Sequence, residues 1–192
     1  MVTAHNLSKR FGAKRVFERV EVELGQGDVL LVTGPNGSGK TTLLRVLAGL
    51  AAPTGGELER PHRGAIGYLG HEPLVYRELT PLENLALFGR LYHVAEDRER
   101  IGMLLERFGL WHVRHERVAA FSRGMQQRLG LCRLLLHQPT FVLLDEPFNA
   151  LDRDGAALLD RTLAELAERT LVVATHDPGR VEHLATQQLA FA

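Results

Sequence analysis

The sequence has little of several features that would mark a secreted or membrane-spanning protein. Its 192 residues include one cysteine, Cys132, so no internal disulfide can form and nothing points to secretion. No stretch approaches the roughly 18 consecutive apolar residues of a transmembrane helix. The N-terminus also has no apolar run long enough for a signal peptide. We therefore expect a cytoplasmic protein without a membrane span of its own.

An excess of charge of either sign is also missing. The 23 Lys and Arg residues balance the 23 Asp and Glu residues, so the formal net charge at pH 7 is zero. Proteins whose main task is to bind nucleic acid usually carry a basic surface and a high pI. Disordered chains combine low hydrophobicity with high net charge, whereas this chain is 45% hydrophobic. The composition predicts one globular domain that does not bind nucleic acid.

Apolar runs alternate with helical patterns along the chain, which is typical of an α/β fold. The predicted strands are residues 20–24, 29–33, 65–69, 141–144, 171–175 and 187–191. A helix is predicted over residues 41–50, and the spacing of Leu158, Leu159, Leu163 and Leu166 indicates another. Residues 81–118 are charged, helix-rich and poor in β-branched runs, so we interpret them as an inserted helical subdomain.

Residues 34–41 read GPNGSGKT and match the phosphate-binding pattern GxxxxGK[ST]. Glycines in such a loop allow backbone conformations in which N–H groups surround a phosphate, and the following helix directs its positive end at the same anion. Lys40 is expected to reach the β- and γ-phosphates, and Thr41 to offer its hydroxyl to Mg²⁺. The alternative is a simple Gly-rich turn, but a buried strand precedes the motif and a helix follows it, as the phosphate loop requires.

Two carboxylates, Asp145 and Glu146, end the run FVLLDE. Ligands of open α/β sheets bind at the carboxyl ends of the strands. Asp145 is suited to coordinate Mg²⁺, directly or through water, and Glu146 to act as the general base that polarises an attacking water. The alternative interpretation is a strand that ends in a solvated, charged turn. The phosphate loop upstream argues against this alternative.

The segment FSRGMQQR, residues 121–128, precedes an amphipathic stretch. Ser122 is predicted to be a helix N-cap, with Gly124 in the first turn. That local role is one interpretation. An N-cap serine with exposed first-turn N–H groups also forms an anion site, and the two interpretations are compatible.

The order of the motifs GPNGSGKT, FSRGMQQR, FVLLDEP, NALD and TH resembles the ATP-binding subunit of an ABC transporter over nearly the whole chain. The resemblance implies that two nucleotide-binding domains meet head to tail, each ATP lying between one phosphate loop and the partner's signature segment. Ser122 and Gly124 would then contact the γ-phosphate held by the partner chain. The family's LSGGQ signature is altered here, because Phe121, Arg123 and Met125 stand at its Leu, first Gly and Gln positions.

Three further positions follow from the resemblance. Phe11 stands where the family has an aromatic residue that stacks on adenine, with a core residue near a turn as the alternative. Asp152 is the carboxylate of a loop that runs between the two ATP sites. His176 resembles the switch histidine that contacts the γ-phosphate, and an imidazole can donate a hydrogen bond there; a lone histidine after a strand is otherwise incidental.

The resemblance implies a P-loop NTPase core with an ABC-type mixed sheet, an antiparallel β subdomain and a helical subdomain at about residues 80–135. These parts are expected within one nucleotide-binding domain, residues 1–192, with no regulatory C-terminal domain after His176. The expected catalytic residues are Glu146, His176 and Lys40. The expected ATP contacts are Phe11, Gly34, Pro35, Asn36, Gly37, Ser38, Gly39, Lys40, Thr41, Thr42, Ser122, Gly124 and Asp152. The expected Mg²⁺ ligands are Thr41, Asp145 and His71.

His71 departs from the family pattern, which usually has Gln at this position, beside Mg²⁺ or the attacking water and facing the membrane partner. Histidine can also accept a hydrogen bond from water or bind metal, but its charge depends on pH. The segments GHEP and LTPLENL, with DEPFNALD, are similar to the haem-exporter ATPases of cytochrome c maturation. The resemblance therefore implies a peripheral subunit on the cytoplasmic face of the cell membrane that powers export through separate integral membrane subunits.

Other functions remain open at this point. The chain could serve another ABC exporter, for a drug, a lipid or an ion. It could be a soluble ABC-type ATPase of translation or DNA repair, although such relatives usually carry two domains or a long coiled-coil insertion. A phosphate-loop kinase or GTPase would explain GPNGSGKT but not FSRGMQQR or NALD. Cys132 is expected in the core, and His112, His115 and Glu116 on a solvated surface rather than around a metal.

Overall fold

The computed structural model describes residues 1–94 and 98–191. The strands, in chain order, are β1 (Val2–Phe11), β2 (Lys14–Leu24), β3 (Val29–Thr33), β4 (Gly55–Glu59), β5 (Ile66–Leu69), β6 (Phe141–Asp145), β7 (Thr170–Thr175) and β8 (Gln187–Ala190). The helices are α1 (Lys40–Leu47), α2 (Pro81–Leu91), α3 (Arg98–Arg107), α4 (Arg123–Leu136) and α5 (Arg153–Leu166). Single 3₁₀ turns lie at Arg63–Ala65, Trp111–Val113, Val118–Ala120, Pro178–Arg180 and Glu182–Leu184.

The central sheet has the strand order β5-β6-β7-β3-β8, and all of its neighbouring strands are parallel. The strands β3, β6 and β7 are continuous apolar runs because helices and strands cover both faces of the sheet. Parallel pairing places their carboxyl ends at one edge. The phosphate loop follows β3, the two carboxylates end β6, and His176 follows β7, which lies between those two strands.

Antiparallel pairing is confined, among the described residues, to a second sheet of order β2-β1-β4. The β1–β2 hairpin pairs Phe11 with Lys14 around Gly12, whose φ of 56° suits a tight turn. β1 shows register shifts on both sides of Leu7, and Asn6 has a φ of 50°. Together the two sheets and the helices confirm the predicted fold class.

Two hydrophobic clusters lie on opposite faces of the central sheet. On one face α1 and the antiparallel sheet cover residues such as Leu30 and Leu143. On the other face α2, α3, α4 and α5 cover residues such as Leu31 and Leu144. Burial of each such leucine contributes roughly 1.5–3 kcal/mol relative to exposure. The sheet edge that carries the motifs is therefore held from both sides.

The helix α2 begins with a full capping box, in which Thr80 and Glu83 satisfy each other's backbone N–H groups. Buried Asn84, on the same helix, bonds both backbone groups of Tyr76 and so holds the segment before α2. At the other end of that segment, Gly130 of α4 approaches Pro73 so closely that an added Cβ would lie 2.6 Å from it. These contacts fix the segment that carries His71 against α4.

The predicted element positions agree closely with the structure at the central strands. The strand predicted at 29–33 is confirmed, and those at 65–69, 141–144, 171–175 and 187–191 shift by one residue at an end. α1 ends at Leu47 rather than at residue 50 because Gly49, with a φ of 72°, closes it with a Schellman motif: Gly49 N–H donates to Val46 O and Leu50 N–H to Arg45 O. β1 and β4 were not predicted, and β2 begins six residues before the predicted 20–24.

No helix in residues 1–94 and 98–191 is long and apolar enough to cross a membrane.

Candidate functional site

The phosphate loop owes its shape to its glycines. Gly34 and Gly39 have φ values of 143° and 115°, which side chains disfavour. An added Cβ would lie 2.6 Å from Phe191 O at Gly34 and 2.9 Å from Val16 Cγ1 at Gly39. The backbone therefore approaches its neighbours as closely as a loop that surrounds a phosphate requires.

Lys40, the first residue of α1, is 5% exposed and folds back over the loop. Its ammonium donates to Gly34 O at 2.7 Å and to Pro35 O at 3.1 Å, and it lies 3.6 Å from Glu146 Oε1. The cation is thus held between the loop and a carboxylate, where a phosphate of a bound nucleotide would compete for it.

Thr41 and Asp145 form the part of the site that fits Mg²⁺. The Thr41 hydroxyl donates to Asp145 Oδ1 at 3.1 Å. Asp145 is fully buried, and its Oδ2 has no hydrogen-bond partner among the described residues. Burial raises the pKa of the Asp145 carboxyl, and the hydrogen bond from Thr41 opposes that rise. A buried oxygen without a partner is a position that a cation would satisfy.

The donor set agrees with the chemistry of Mg²⁺. No cluster of three or more His, Cys, Asp or Glu residues that could cage a metal occurs in the described part of the chain. Mg²⁺ is usually held by one or two carboxylates together with substrate phosphates and water, so a hydroxyl and one carboxylate suffice. The residues present therefore fit a metal that arrives with its nucleotide.

Glu146 follows β6 with a φ of 50°, an uncommon conformation for a glutamate. Its Oε2 accepts from the Thr175 hydroxyl at 3.2 Å and lies 2.8 Å from His176 Nδ1. Its Oε1 is buried with no hydrogen-bond partner in the described residues, and the Lys40 ammonium lies 3.6 Å from it. One carboxylate oxygen is thus held by hydrogen bonds, and the other has an ion-pair partner but no hydrogen bond in the described structure.

A cleft of about 450 Å³ joins these groups to the antiparallel sheet. Phe11 lines it at the end of β1 and is 57% exposed, so the alternative of a core residue is wrong. Lys14, Arg15 and Val16 also line the cleft, although sequence reasoning missed them. Their position after the Phe11–Gly12 turn is the signal that could have indicated them.

The remaining predicted ATP contacts divide into three groups, according to whether they line this cleft. Residues of the loop and of α1 line the cleft: Asn36, Gly37, Gly39, Lys40, Thr41 and Thr42. Gly34, Pro35 and Ser38 belong to the same loop but do not line it. Ser122, Gly124 and Asp152 lie outside the cleft of their own chain.

Ser122 and Asp152 have local structural roles at helix N-termini. Ser122 Oγ accepts from Met125 N–H at 3.2 Å at the start of α4, as predicted for an N-cap. Asp152 caps α5 by accepting from Gly155 N–H at 2.8 Å. Gly124 lies against the loop before α5, where an added Cβ would be 2.9 Å from Ala150 O. The two segments are therefore in contact, and Ser122 and Asp152 are exposed.

His71 lies between two clefts. It lines the cleft of about 450 Å³ described above, called the nucleotide cleft from here on, near Asp145. It also lines an adjoining cleft of about 430 Å³, together with Arg123 and Gln127 of α4 and with Asn149. The histidine is exposed, so it is accessible from both sides. The residue that departs from the family pattern is thus the one that joins the nucleotide cleft to the outer surface.

Several other residues have simple surroundings. Cys132 is fully buried, its thiol donates to Leu104 O, and burial raises its pKa. His112, His115 and Glu116 are exposed and form no metal cluster among the described residues. Neither set is part of the site.

Comparison with known proteins places this geometry in a family. The model of the family described as "ABC transporter" matches residues 17–149, which is more than half of the chain. The chain therefore belongs to the ABC transporter family and is an ATP-binding domain of that family, with the family's ATPase fold.

Individual relatives cover most of the chain. It is 40% identical to the cytochrome c biogenesis ATP-binding export protein CcmA of Cupriavidus necator, over 92% of the chain and 83% of the relative. It is 37% identical to an uncharacterized ABC transporter ATP-binding protein, YxlF, of Bacillus subtilis, over 97% of the chain and 66% of the relative. The bacitracin transport ATP-binding protein BcrA of Bacillus licheniformis is 33% identical over 96% of the chain. The chain spans about two thirds of the length of the last two relatives, 66% and 64%.

A solved structure supports the fold across the full length. It is described as a dimeric post-hydrolysis state of an ATP-binding cassette bound to ADP and Pi. It superposes with a TM-score of 0.88 at 25% identity, over 100% of this chain and 94% of that one.

Proposed function

We propose that the chain binds and hydrolyses ATP and that the energy drives transport through separate integral membrane subunits. The observation that carries the proposal is the convergence of Lys40, Thr41, Asp145, Glu146 and His176, from separate segments, at one edge of the parallel sheet. This edge is where ligands of open α/β sheets bind. The family and the dimeric cassette with ADP and Pi support the same activity.

In this proposal each group has a role. Loop N–H groups and Lys40 bind and orient the phosphates, with the ammonium exchanging Gly34 O and Pro35 O for phosphate oxygens. Thr41 and Asp145 would hold Mg²⁺, which neutralises charge on the β- and γ-phosphates when bound. In this proposal Glu146 accepts a proton from the attacking water through Oε1, which has no hydrogen bond in the described structure and lies 3.6 Å from the Lys40 ammonium. His176 would orient that carboxylate through Oε2, and its exposed side chain would contact the γ-phosphate.

Two copies of the domain are needed in this proposal. Ser122, Gly124 and Asp152 lie outside the cleft of their own chain; Ser122 and Asp152 are exposed, and Gly124 is half-buried against Ala150 O. A second copy arranged head to tail would bring its signature segment to the γ-phosphate. Closing and reopening of the pair would then follow binding and hydrolysis of ATP, as in other switches held by γ-phosphate contacts.

We propose haem as the transported molecule, exported during cytochrome c biogenesis; the 40% identity with CcmA and the GHEP and LTPLENL segments support this proposal. The chain would then be a peripheral protein on the cytoplasmic face of the cell membrane, bound to its membrane subunits. The similarity to BcrA supports export of another compound as the second candidate.

The central experiment is nucleotide binding and ATP hydrolysis by the purified chain and by Lys40→Ala. We expect the variant to lose tight ATP binding, because one charge-assisted contact to phosphate is removed; unchanged affinity would contradict the proposal. For the substrate, deletion of the gene in its host should abolish mature c-type cytochromes, and the Glu146→Gln gene should fail to restore them. Normal cytochromes in the deletion strain would favour the second candidate.

A further inference from the structure

The aromatic side chain expected to receive the base is exposed at the end of a strand. Phe11 is the last residue of β1, is 57% exposed and projects into the nucleotide cleft without belonging to either hydrophobic cluster. An exposed ring in such a position loses rotamer freedom when a ligand stacks on it. A residue that fixes the ring beforehand would therefore strengthen binding of the base.

Lys9 makes a contact of this kind. Its ammonium lies over the Phe11 ring, 4.7 Å from the centroid, which is a cation–π arrangement. The same ammonium donates to Ala52 O at 2.7 Å. Ala52 follows the end of α1, the helix whose N-terminus carries Lys40. The cation is thus anchored on the backbone of the segment that follows α1 and is held over the ring.

Backbone bonds fix the strand around Lys9. Thr54 N–H donates to Ser8 O at 2.8 Å, and Arg10 N–H donates to Thr54 Oγ1 at 3.0 Å. β1 changes register with β2 on both sides of Lys9, so the ladder alone does not determine this end of the strand. The segment at 52–54 therefore supports both the backbone and the side chain of Lys9.

We propose that Lys9 is a positioning residue for recognition of the nucleotide base: its anchored ammonium covers one face of the Phe11 ring and leaves the opposite face as the platform on which adenine stacks. The inference rests on the proposed ATP binding and extends it to base recognition. It predicts that Lys9 affects the affinity for the base and not the affinity for the phosphates.

The test compares two probes, ATP and inorganic tripolyphosphate, each titrated calorimetrically with Mg²⁺ present. Lys9→Met keeps an aliphatic chain of similar length and removes the charge and the donor. We expect ATP affinity to fall about two- to fivefold, as for loss of an exposed cation–π contact, and tripolyphosphate affinity to stay at the wild-type value. Lys9→Arg should keep most of the ATP affinity. The matched control is Arg10→Met, which removes the neighbouring cation and should change neither probe.

A double-mutant cycle with Phe11→Leu completes the test. If Lys9 acts through the ring, Lys9→Met has no further effect once Phe11 is Leu. Additive losses, equal losses for both probes, or an unchanged ATP affinity in Lys9→Met would each overturn the inference. Wild-type protein that binds tripolyphosphate but not ATP, or that binds neither, would contradict the proposed function itself. If wild type binds ATP and Lys9→Met binds it with the same affinity, only the proposed role of Lys9 is contradicted.

Discussion

Thr41 donates a hydrogen bond to Asp145 at 3.1 Å, although 104 positions separate the two residues. The hydroxyl lies at the start of α1 and the carboxylate at the end of β6, so the contact joins the helix that follows the phosphate loop to the strand that precedes Glu146. It orients the carboxylate so that Oδ2 remains without a partner in the described structure. The proposed metal position therefore depends on both residues.

Replacing Thr41 by Val tests that position. The variant keeps the shape of the side chain but loses the hydroxyl, so we expect the Mg²⁺ concentration for half-maximal ATPase rate to rise about tenfold, the size of a lost bond to a charged group. Thr3→Val, far from the cleft, is the matched control and should behave as wild type. A wild-type Mg²⁺ dependence in Thr41→Val would exclude the threonine as a ligand.

The glutamine variant of Glu146 separates binding from hydrolysis. Because the amide cannot accept the proton of the attacking water, turnover should fall about 10²- to 10⁴-fold. ATP binding should persist, and an ATP-bound dimer should accumulate, as measured by size-exclusion chromatography. Glu168→Gln, on the exposed surface, provides the control. Full turnover in Glu146→Gln would eliminate the general-base role.

A methyl group added at Gly124 would lie 2.9 Å from Ala150 O. Because this oxygen belongs to the backbone, relieving the clash would require a shift of the chain. We expect Gly124→Ala to lower the free energy of unfolding by about 1–3 kcal/mol and to weaken ATP-dependent dimerisation. In contrast, the Cβ of Gly89→Ala would meet, among the described residues, Leu136 Cδ2 at 3.8 Å, an ordinary contact distance, and the variant should stabilise α2 by up to about 1 kcal/mol. Urea denaturation checks both, and similar stabilities for the two variants would contradict the argument.

The position of His71 between two clefts predicts a defect in coupling. His71→Ala should reduce ATP-driven transport in reconstituted vesicles more than it reduces ATP affinity, because the side chain lines the adjoining cleft of about 430 Å³ as well as the nucleotide cleft. His62→Ala, at another exposed histidine, serves as control. Equal losses of affinity and transport would assign His71 to nucleotide binding alone.

The partly buried His137 predicts a dependence of stability on pH. Burial lowers its pKa below the ordinary value near 6.5, with Arg133 and Arg100 acting in the same direction and the bond to Ile66 O against it. The folded state therefore binds fewer protons than the unfolded chain, so stability is complete above pH 6.5 and is lost as the pH falls from there through the lowered pKa.

Replacement of His137 by Phe removes that titration and keeps a ring stacked on Tyr92, 4.1 Å away. Between pH 7.5 and 5.5, urea denaturation should show a smaller loss of stability for His137→Phe than for wild type. His115→Phe, at an exposed position, should keep the wild-type slope. If His137→Phe instead lost more stability than wild type between pH 7.5 and 5.5, the predicted direction of the His137 contribution would be wrong.

Much of the fold could be predicted where a local pattern determines it. The strand at 29–33 and the glycines after it form one continuous signal, and α4 begins at its N-cap, Ser122. β1 could not be predicted because its alternation is broken at Asn6, where the backbone takes a positive φ. β4 reads GGELE and resembles a loop, and it becomes a strand only because β1 pairs with it.

The site was predicted as a set of residues but not as a network. Motifs identify Lys40, Thr41 and Glu146 individually. Which oxygen of Glu146 is held by hydrogen bonds depends on Thr175, at the end of the neighbouring strand, and on His176, which follows it. The anchoring of Lys9 on Ala52 likewise joins positions whose neighbourhood only the folded chain determines.

The helices α2, α3 and α4 have no hydrophobic core of their own. Their buried residues, such as Leu85, Leu105 and Cys132, belong to the same cluster as Leu144 of β6 and Val173 of β7. A rotation of these helices during an ATPase cycle would have to slide apolar side chains past one another, as in shear motion, instead of opening a water-filled hinge. Excised from the chain, the helical segment would expose that face and would not be expected to fold.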